Sequence, residues 1–290
     1  MKMIVKVLAE NSAQDGFCAE HGLCLYMEHK GKKYLIDSGA SGVFSKNASR
    51  LNVDLNAIDA AFLSHAHYDH SGGYDTFFEQ NKNAKVYLQR SALGRMYYKV
   101  TDEGKKYIGI PKGLLEKYAD RFEYIDGTAN MSEGHFEGIG DEGIYIVAHS
   151  LPGIIKRAEH THMCVAVGDG FAYDDFKHEQ TVVFEEDDGL VCFNSCSHSG
   201  VDIVIKEVKN AFPDKPIKAY VGGFHLMGAS GADSCGYLME EVTTLAGELM
   251  TLTDATFYSG HCTGTIAFKW LKDVMKDRLI AISSGNQFEI

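Results

Sequence analysis

The sequence predicts an α/β (α+β) chain in which helices cover a largely β interior, and two observations carry that expectation. Short apolar or alternating runs of strand length recur along the chain: MIVKVLA, LCLYMEH, KKYLIDSG, AAFLSH, AKVYLQ, GIYIVAHS, HMCVAVGD, TVVFEEDDGLVCFN, KAYVGGFH, ATFYSGH and LIAISSG. Helical spacing of apolar residues follows the later strands, at Val201, Val204, Ile205, Val208, Ala211 and Phe212, at Leu238, Val242, Leu245, Ala246 and Leu249, and at Ile266, Ala267, Trp270, Leu271 and Val274. Strands in two batches, with helices after the later ones, give a layered fold with a β interior. Asp188-Gly189 is a hairpin-turn dipeptide.

The chain has 290 residues, 45% of them hydrophobic, enough for a substantial core. Four prolines, no low-complexity segment and no solenoid-period repeat leave no linker, so residues 1–290 read as a single domain. The stretch from Arg90 to about Phe136 breaks the strand rhythm with mixed helix and charged loop, and is read as a lid insertion at about 90–136. A formal charge of −12 without a basic block excludes nucleic acid as a first guess. Seven cysteines, an odd number without C-x-x-C pairs, fit reduced thiols of the cytoplasm. The start MKMIVKVLAENSAQ alternates like a strand instead of a signal peptide, and no later run approaches a membrane span, so no membrane role is expected.

FLSHAHYDHSGG, residues 62–73, places His65, His67, Asp69 and His70 within six positions. Two residues apart at a strand end, His65 and His67 emerge on one side, whereas Asp69 and His70 need a turn, which Gly72-Gly73 is expected to permit. Four such groups directly after AAFL are costly to bury without a cation, because each demands its own hydrogen-bond partner. Imidazole and carboxylate suit Zn²⁺ at roughly 2.0 to 2.2 Å, and a short loop carrying four of them can serve two ions about 3.5 to 4 Å apart. His198, His225 and His261 each follow an apolar strand, which places them on the carboxyl-end rim of a sheet where they can converge with the first cluster. His21, His29, His135, His149, His160, His162 and His178 lie in loops or beside charges and are expected to be solvated or structural.

SHAHYDHSGG, preceded by YLIDSGAS and followed by NSCSH, GGFHL and GHCTG, resembles the metallo-β-lactamase fold superfamily over nearly the whole chain. AENSA, HGLCLYME and the three late motifs resemble more narrowly the 7,8-dihydropterin-6-methyl-4-(β-D-ribofuranosyl)-aminobenzene 5′-phosphate synthase-like subgroup. The resemblance implies a four-layer αββα sandwich. It also implies one metal on His65, His67 and a third histidine, and a second on Asp69, His70 and His261. Asp37 in LIDSG would then orient a ligand histidine by accepting its free N–H. The chain departs from the superfamily at VCFNSCSHSG, where the bridging aspartate is missing. Either His198 is the third histidine and His225 takes the aspartate's place, or His198 replaces the aspartate and His178 or Glu179 is the third ligand. Cys196 is expected to turn into the strand.

The metals implied are two Zn²⁺ ions, with iron or manganese suiting the same donors. The expected function is a hydrolase using metal-activated water on a small anionic ester-like substrate, a phosphodiester, phosphoester, lactone or thioester, with Asp69 and His225 in catalytic roles. The helix starts after His198 and His261, at Gly200 and Gly264, are expected to offer backbone N–H groups to an anion. Competing expectations are a catalytically weak ligand-binding module for a pterin or nucleotide, and an iron-dependent redox enzyme. Substrate-facing groups are sought among Arg95, Tyr97, Tyr98, Lys112, Arg157 and His162.

Overall fold

The computed structural model describes residues 2–133, 136–139, 143–151 and 154–290. Two seven-stranded sheets lie face to face. The first runs, in spatial order, Gln287–Glu289, Ile4–Ala9, Cys24–His29, Lys32–Ile36, Ala60–Phe62, Lys85–Gln89 and Phe122–Ile125. The second runs Leu279–Ala281, Thr256–Ser259, Ile217–Val221, Gly189–Phe193, Gln180–Glu186, Ile144–Ala148 and Ala129–Asn130.

Period-two alternation sorts the side chains of these strands into layers. Val182 and Phe184 enter the core between the sheets, where they meet Val5, Tyr34 and Phe62. Val183, between them in sequence, faces the other way, toward the helices Val201–Ala211, Met239–Leu252 and Thr265–Met275. On the far side of the first sheet, Phe44 and Phe77 of the helices Val43–Arg50 and Tyr74–Gln80 pack on Leu35, Val86 and Leu88. Helix, sheet, sheet, helix is the αββα order. The hairpin at Asp188-Gly189 is present, with Gln180–Glu186 antiparallel to Gly189–Phe193.

Residues 90–136 divide. Tyr97–Thr101 and Gly104–Tyr107 form a hairpin that joins Met163–Val167 and Gly170–Tyr173 in a third, four-stranded sheet, whereas Phe122–Ile125 extends the first sheet in parallel with Lys85–Gln89. The charged, half-apolar composition of the hairpin hid its strands from pattern reading. Among the described residues no helix is long and apolar enough to cross a membrane.

Parallel pairing sets the position of the site. Gly189–Phe193, Ile217–Val221 and Thr256–Ser259 run parallel, so the loops after them share one edge. Lys32–Ile36, Ala60–Phe62 and Lys85–Gln89 do the same in the first sheet. The turn after His70 differs from expectation: Gly72 and Gly73 have ordinary helical φ of −68° and −86°. Their glycines are required by space, since a Cβ would lie 2.2 Å from the Ala40 carbonyl at Gly72 and 2.1 Å from the Ser38 carbonyl at Gly73. Gly73→Ala is therefore expected to destabilise the fold by about 1–3 kcal/mol through overpacking, read as a lowered denaturation midpoint at unchanged slope.

Candidate metal centre

At the shared edge, strand ends deliver the donors. His65 and His67 follow Ala60–Phe62, and a short helix, Tyr68–Ser71, swings Asp69 and His70 back over them. His198, His225 and His261 arrive from the second sheet, and all of these groups are buried except His225, which is partly buried. The rings of His65, His67 and His198 lie 4.6 to 4.7 Å apart by centroid. His198 Nε2 is 3.2 Å from His65 Nε2. On the other side, His70 Nε2 is 3.2 Å from His261 Nε2, and Asp69 Oδ2 is 3.6 Å from both. His225 lies beside His198, its ring tilted by 49° with centroids 4.2 Å apart.

Asp37 fixes both halves. Its Oδ2 accepts a hydrogen bond from His70 Nδ1 at 2.7 Å and another from the Ser64 hydroxyl at 2.7 Å, and that hydroxyl in turn accepts from His65 Nδ1 at 2.8 Å. Oδ1 accepts from the Ser64 N–H at 2.7 Å. With Nδ1 carrying the proton, His65 and His70 present Nε2 lone pairs to the same volume. Asn11 Oδ1, which also accepts the Gly22 N–H, does the same for His261 Nδ1 at 2.8 Å. Glu10 accepts the His261 backbone N–H.

The lone pairs of His70 and His261 thus face each other at 3.2 Å beside the carboxylates of Asp69 and Asp37. Such an arrangement requires positive charge among them. Burial drives the His70 pKa down, but Asp69 and Asp37 outweigh it and hold it above the ordinary value. A proton on His70 or a divalent cation meets the same demand. His67 Nε2, His198 Nδ1 and His225 Nδ1 are buried without partners. Burial, reinforced by neighbouring histidines, lowers the pKa of His65, His198 and His261 and takes that of His67 to about 3, so these imidazoles are neutral, as metal binding requires. His225 is likewise depressed, by burial and then by the charges of Lys99 and Arg157. Burial would raise the Asp69 carboxyl, yet His70, His21 and His261 hold it well below its usual range. This donor set fits divalent cations of the zinc class.

Cys196 does not turn into the strand. Its Sγ lies 3.2 Å from His70 Nε2, and it groups both with His65 and His198 and with His70 and His261. It occupies the seam between the two donor sets, where the sequence lacks the bridging carboxylate. His178 and Glu179 are engaged in supporting hydrogen bonds, with His178 also within reach of His67 and Asp174. His178 Nδ1 accepts the Ala66 N–H while its Nε2–H donates to Asp174, and Glu179 accepts the N–H groups of His198 and Ser199. Glu179 also closes the helix start expected to bind an anion, and Gly200 N–H is bonded to Ser197 O. At the other helix start, Gly264 N–H reaches the His261 carbonyl and Thr265 N–H that of Ala232.

The sequence reading missed His21, half-exposed with Nε2 3.3 Å from Asp69 Oδ2, and the supporting pair Glu10 and Asn11. Nothing local in AENSA signals contact with a loop 250 residues on. His178, expected to be solvated or structural, is buried against His67 and hydrogen-bonded to Asp174. His29 and His149 are structural, bonded to Glu186 and Glu207, and His160 bonds the Gly236 carbonyl. His135 lies outside the described residues. The donors open into a cleft of about 1040 Å³ walled by the four-stranded sheet. His162 lines it, whereas Arg95 is held by Asp175, Lys112 lies over Tyr107 and Arg157 bonds the His198 carbonyl.

The residues matched to the metallo-beta-lactamase superfamily profile are 19–170, and the chain belongs to that superfamily. An uncharacterized protein of Methanocaldococcus jannaschii is 29% identical over 78% of this chain and 81% of its own length. The same organism's 7,8-dihydropterin-6-methyl-4-(beta-D-ribofuranosyl)-aminobenzene-5′-phosphate synthase is 23% identical over 97% of this chain and 94% of its own. Among solved structures, Tm1679, a metal-dependent hydrolase of the beta-lactamase superfamily, superposes with a TM-score of 0.78 at 26% identity over 99% of each chain. Unliganded yeast PDE1 shares the fold at a TM-score of 0.58 and 10% identity, covering 100% of this chain and 99% of its own.

Two outcomes are expected from the centre itself. Asp37→Asn, which cannot accept from both Ser64 and His70 as the carboxylate does, should weaken metal affinity about 10- to 100-fold in a chelator competition titration. In the metal-free protein, histidines depressed in the fold stay neutral while the unfolded chain takes up protons near the ordinary value of 6.5. Stability is then present above that value and should fall as pH drops below it, by about 1.4 kcal/mol per unit for each such histidine, partly offset by His70, which is shifted the other way. Thermal melts of the metal-free protein across that range check the sign.

Proposed function

We propose that the chain is a metal-dependent hydrolase using metal-activated water on a small anionic ester-like substrate, a phosphodiester, phosphoester, lactone or thioester. The observation that carries this reading is the convergence of two lone-pair sets, one histidine of each oriented by Asp37, at the floor of an open cleft. His65, His67 and His198 would hold one ion and Asp69, His70 and His261 the other, with Cys196 on the seam. Two Zn²⁺ ions suit this nitrogen-rich set with a thiol, and iron or manganese suits the nitrogen and oxygen donors. Bound there, such ions supply a Lewis acid and bring the pKa of water to about 7.

The chain's own groups do the rest. Asp69, held ionised, orients water by accepting its hydrogen bond. His225, neutral, with Nδ1 unpaired and its ring against His198, is placed to take up the proton released by water and relay it to the leaving group. The four-stranded sheet, with the hairpin Tyr97–Tyr107 forming one side of it, serves as the lid. The name of Tm1679 supports the hydrolase reading, and the acidic balance favours a small molecule over nucleic acid as substrate. The seven unpaired thiols suit a reducing compartment such as the cytoplasm.

The reading is tested on protein purified without a nickel column, assayed with bis(p-nitrophenyl) phosphate and p-nitrophenyl esters. Turnover should be abolished by a chelator, restored by Zn²⁺ and lowered about 10²-fold or more by His70→Ala. Metal-replete protein inert on every such substrate would contradict it.

A further inference from the structure

The wall of the cleft carries a charge that its floor does not call for. Lys99, in the strand Tyr97–Thr101 opposite Met163, is half-buried and lines the cleft. Among the described residues its ammonium has no hydrogen bond and no ion pair. The neighbouring lysines are accounted for: Lys105 lies 4.3 Å over the Phe171 ring and Lys106 5.7 Å over the Tyr68 ring. Lys99 lines the same cleft as Asp69, His198, His225 and His261 of the centre.

Holding an ammonium in a half-buried position without a partner strips part of its hydration uncompensated, and placing it in one cleft with divalent cations is more unfavourable still. The chain is not short of carboxylates, with 40 acidic residues against 28 basic ones. Asp102 and Glu103 at the tip of the same hairpin line the cleft too, yet they are exposed and make no ion pair with Lys99. An anion lying between Lys99 and the donor floor would relieve both costs.

We propose that Lys99 is the cleft's anion receptor and binds a phosphate or carboxylate group of the substrate across from the metal donors. The substrate is then a small molecule with an anionic group that remains in contact with the lid while the ester lies on the floor. Calling that ligand a substrate rests on the hydrolase reading; the receptor itself does not. A lysine suits this task as a point charge that adapts to a compact oxyanion, and its place on the hairpin couples ligand binding to the position of the lid.

Calorimetric titration of the metal-loaded full chain with inorganic phosphate and, separately, malonate tests the assignment. Lys99→Gln should weaken binding of at least one anion about 10-fold or more, with Lys99→Arg restoring most of it, and with metal content and melting temperature unchanged. Loss confined to phosphate or to malonate names the group recognised. Equal affinity of both anions for wild type and Lys99→Gln would overturn the proposal. So would loss of bound metal or of melting temperature in Lys99→Gln, since the ammonium would then be a structural part of the centre. Lys99-dependent binding in a protein that hydrolyses nothing would defeat the hydrolase reading and leave the receptor standing.

Discussion

One buried carboxylate sets the chemistry of the whole edge. Asp37 takes the proton-bearing nitrogen of His70 directly and that of His65 through Ser64, so a single side chain decides the tautomer of one histidine in each donor set. It sits at 0% exposure, where an unpaired carboxylate would be costly, and its three hydrogen-bond donors are what make the burial tolerable. The lone pairs that His65 and His70 offer to a cation follow from that arrangement, while Asn11 sets His261 in the same way.

The scaffold accepts strain to keep it. Asp37, Ser197, His225 and His261 all have left-handed backbones, with φ between 49° and 59°, at the ends of strands or in the loops after them. Such conformations cost of order 1–3 kcal/mol each for residues with a Cβ and persist where the surroundings over-determine them. Here the surroundings are two stacked sheets with cores on both faces and helices outside. The turn that returns His70 to the site is equally constrained, wedged against the Ser38 and Ala40 carbonyls where only glycine fits.

Much of this was legible in the sequence. Strands buried on both faces announce themselves as apolar runs, and the ligand cluster after AAFL is costly to bury without a cation. The rims at His198, His225 and His261 followed from strand endings, because parallel pairing puts like ends together. What escaped was non-local or weakly patterned. Glu10 and Asn11 touch His261 from the opposite end of the chain, a contact that no window of sequence contains. The hairpin Tyr97–Tyr107 mixes lysines, acidic residues and tyrosines without a period-two alternation, so the sequence signals neither a strand there nor a role for Lys99. Cys196 resembled a small core residue, since the sequence around it does not say which way a thiol points.

The central claim is that two cations sit at this edge, one on each donor set. Anomalous diffraction from crystals of the metal-loaded protein tests it most directly. The account predicts two peaks, one among His65, His67 and His198 and the other among Asp69, His70 and His261. A metal-soaked crystal without anomalous signal at these histidines, or with its ions bound elsewhere on the chain, would contradict it.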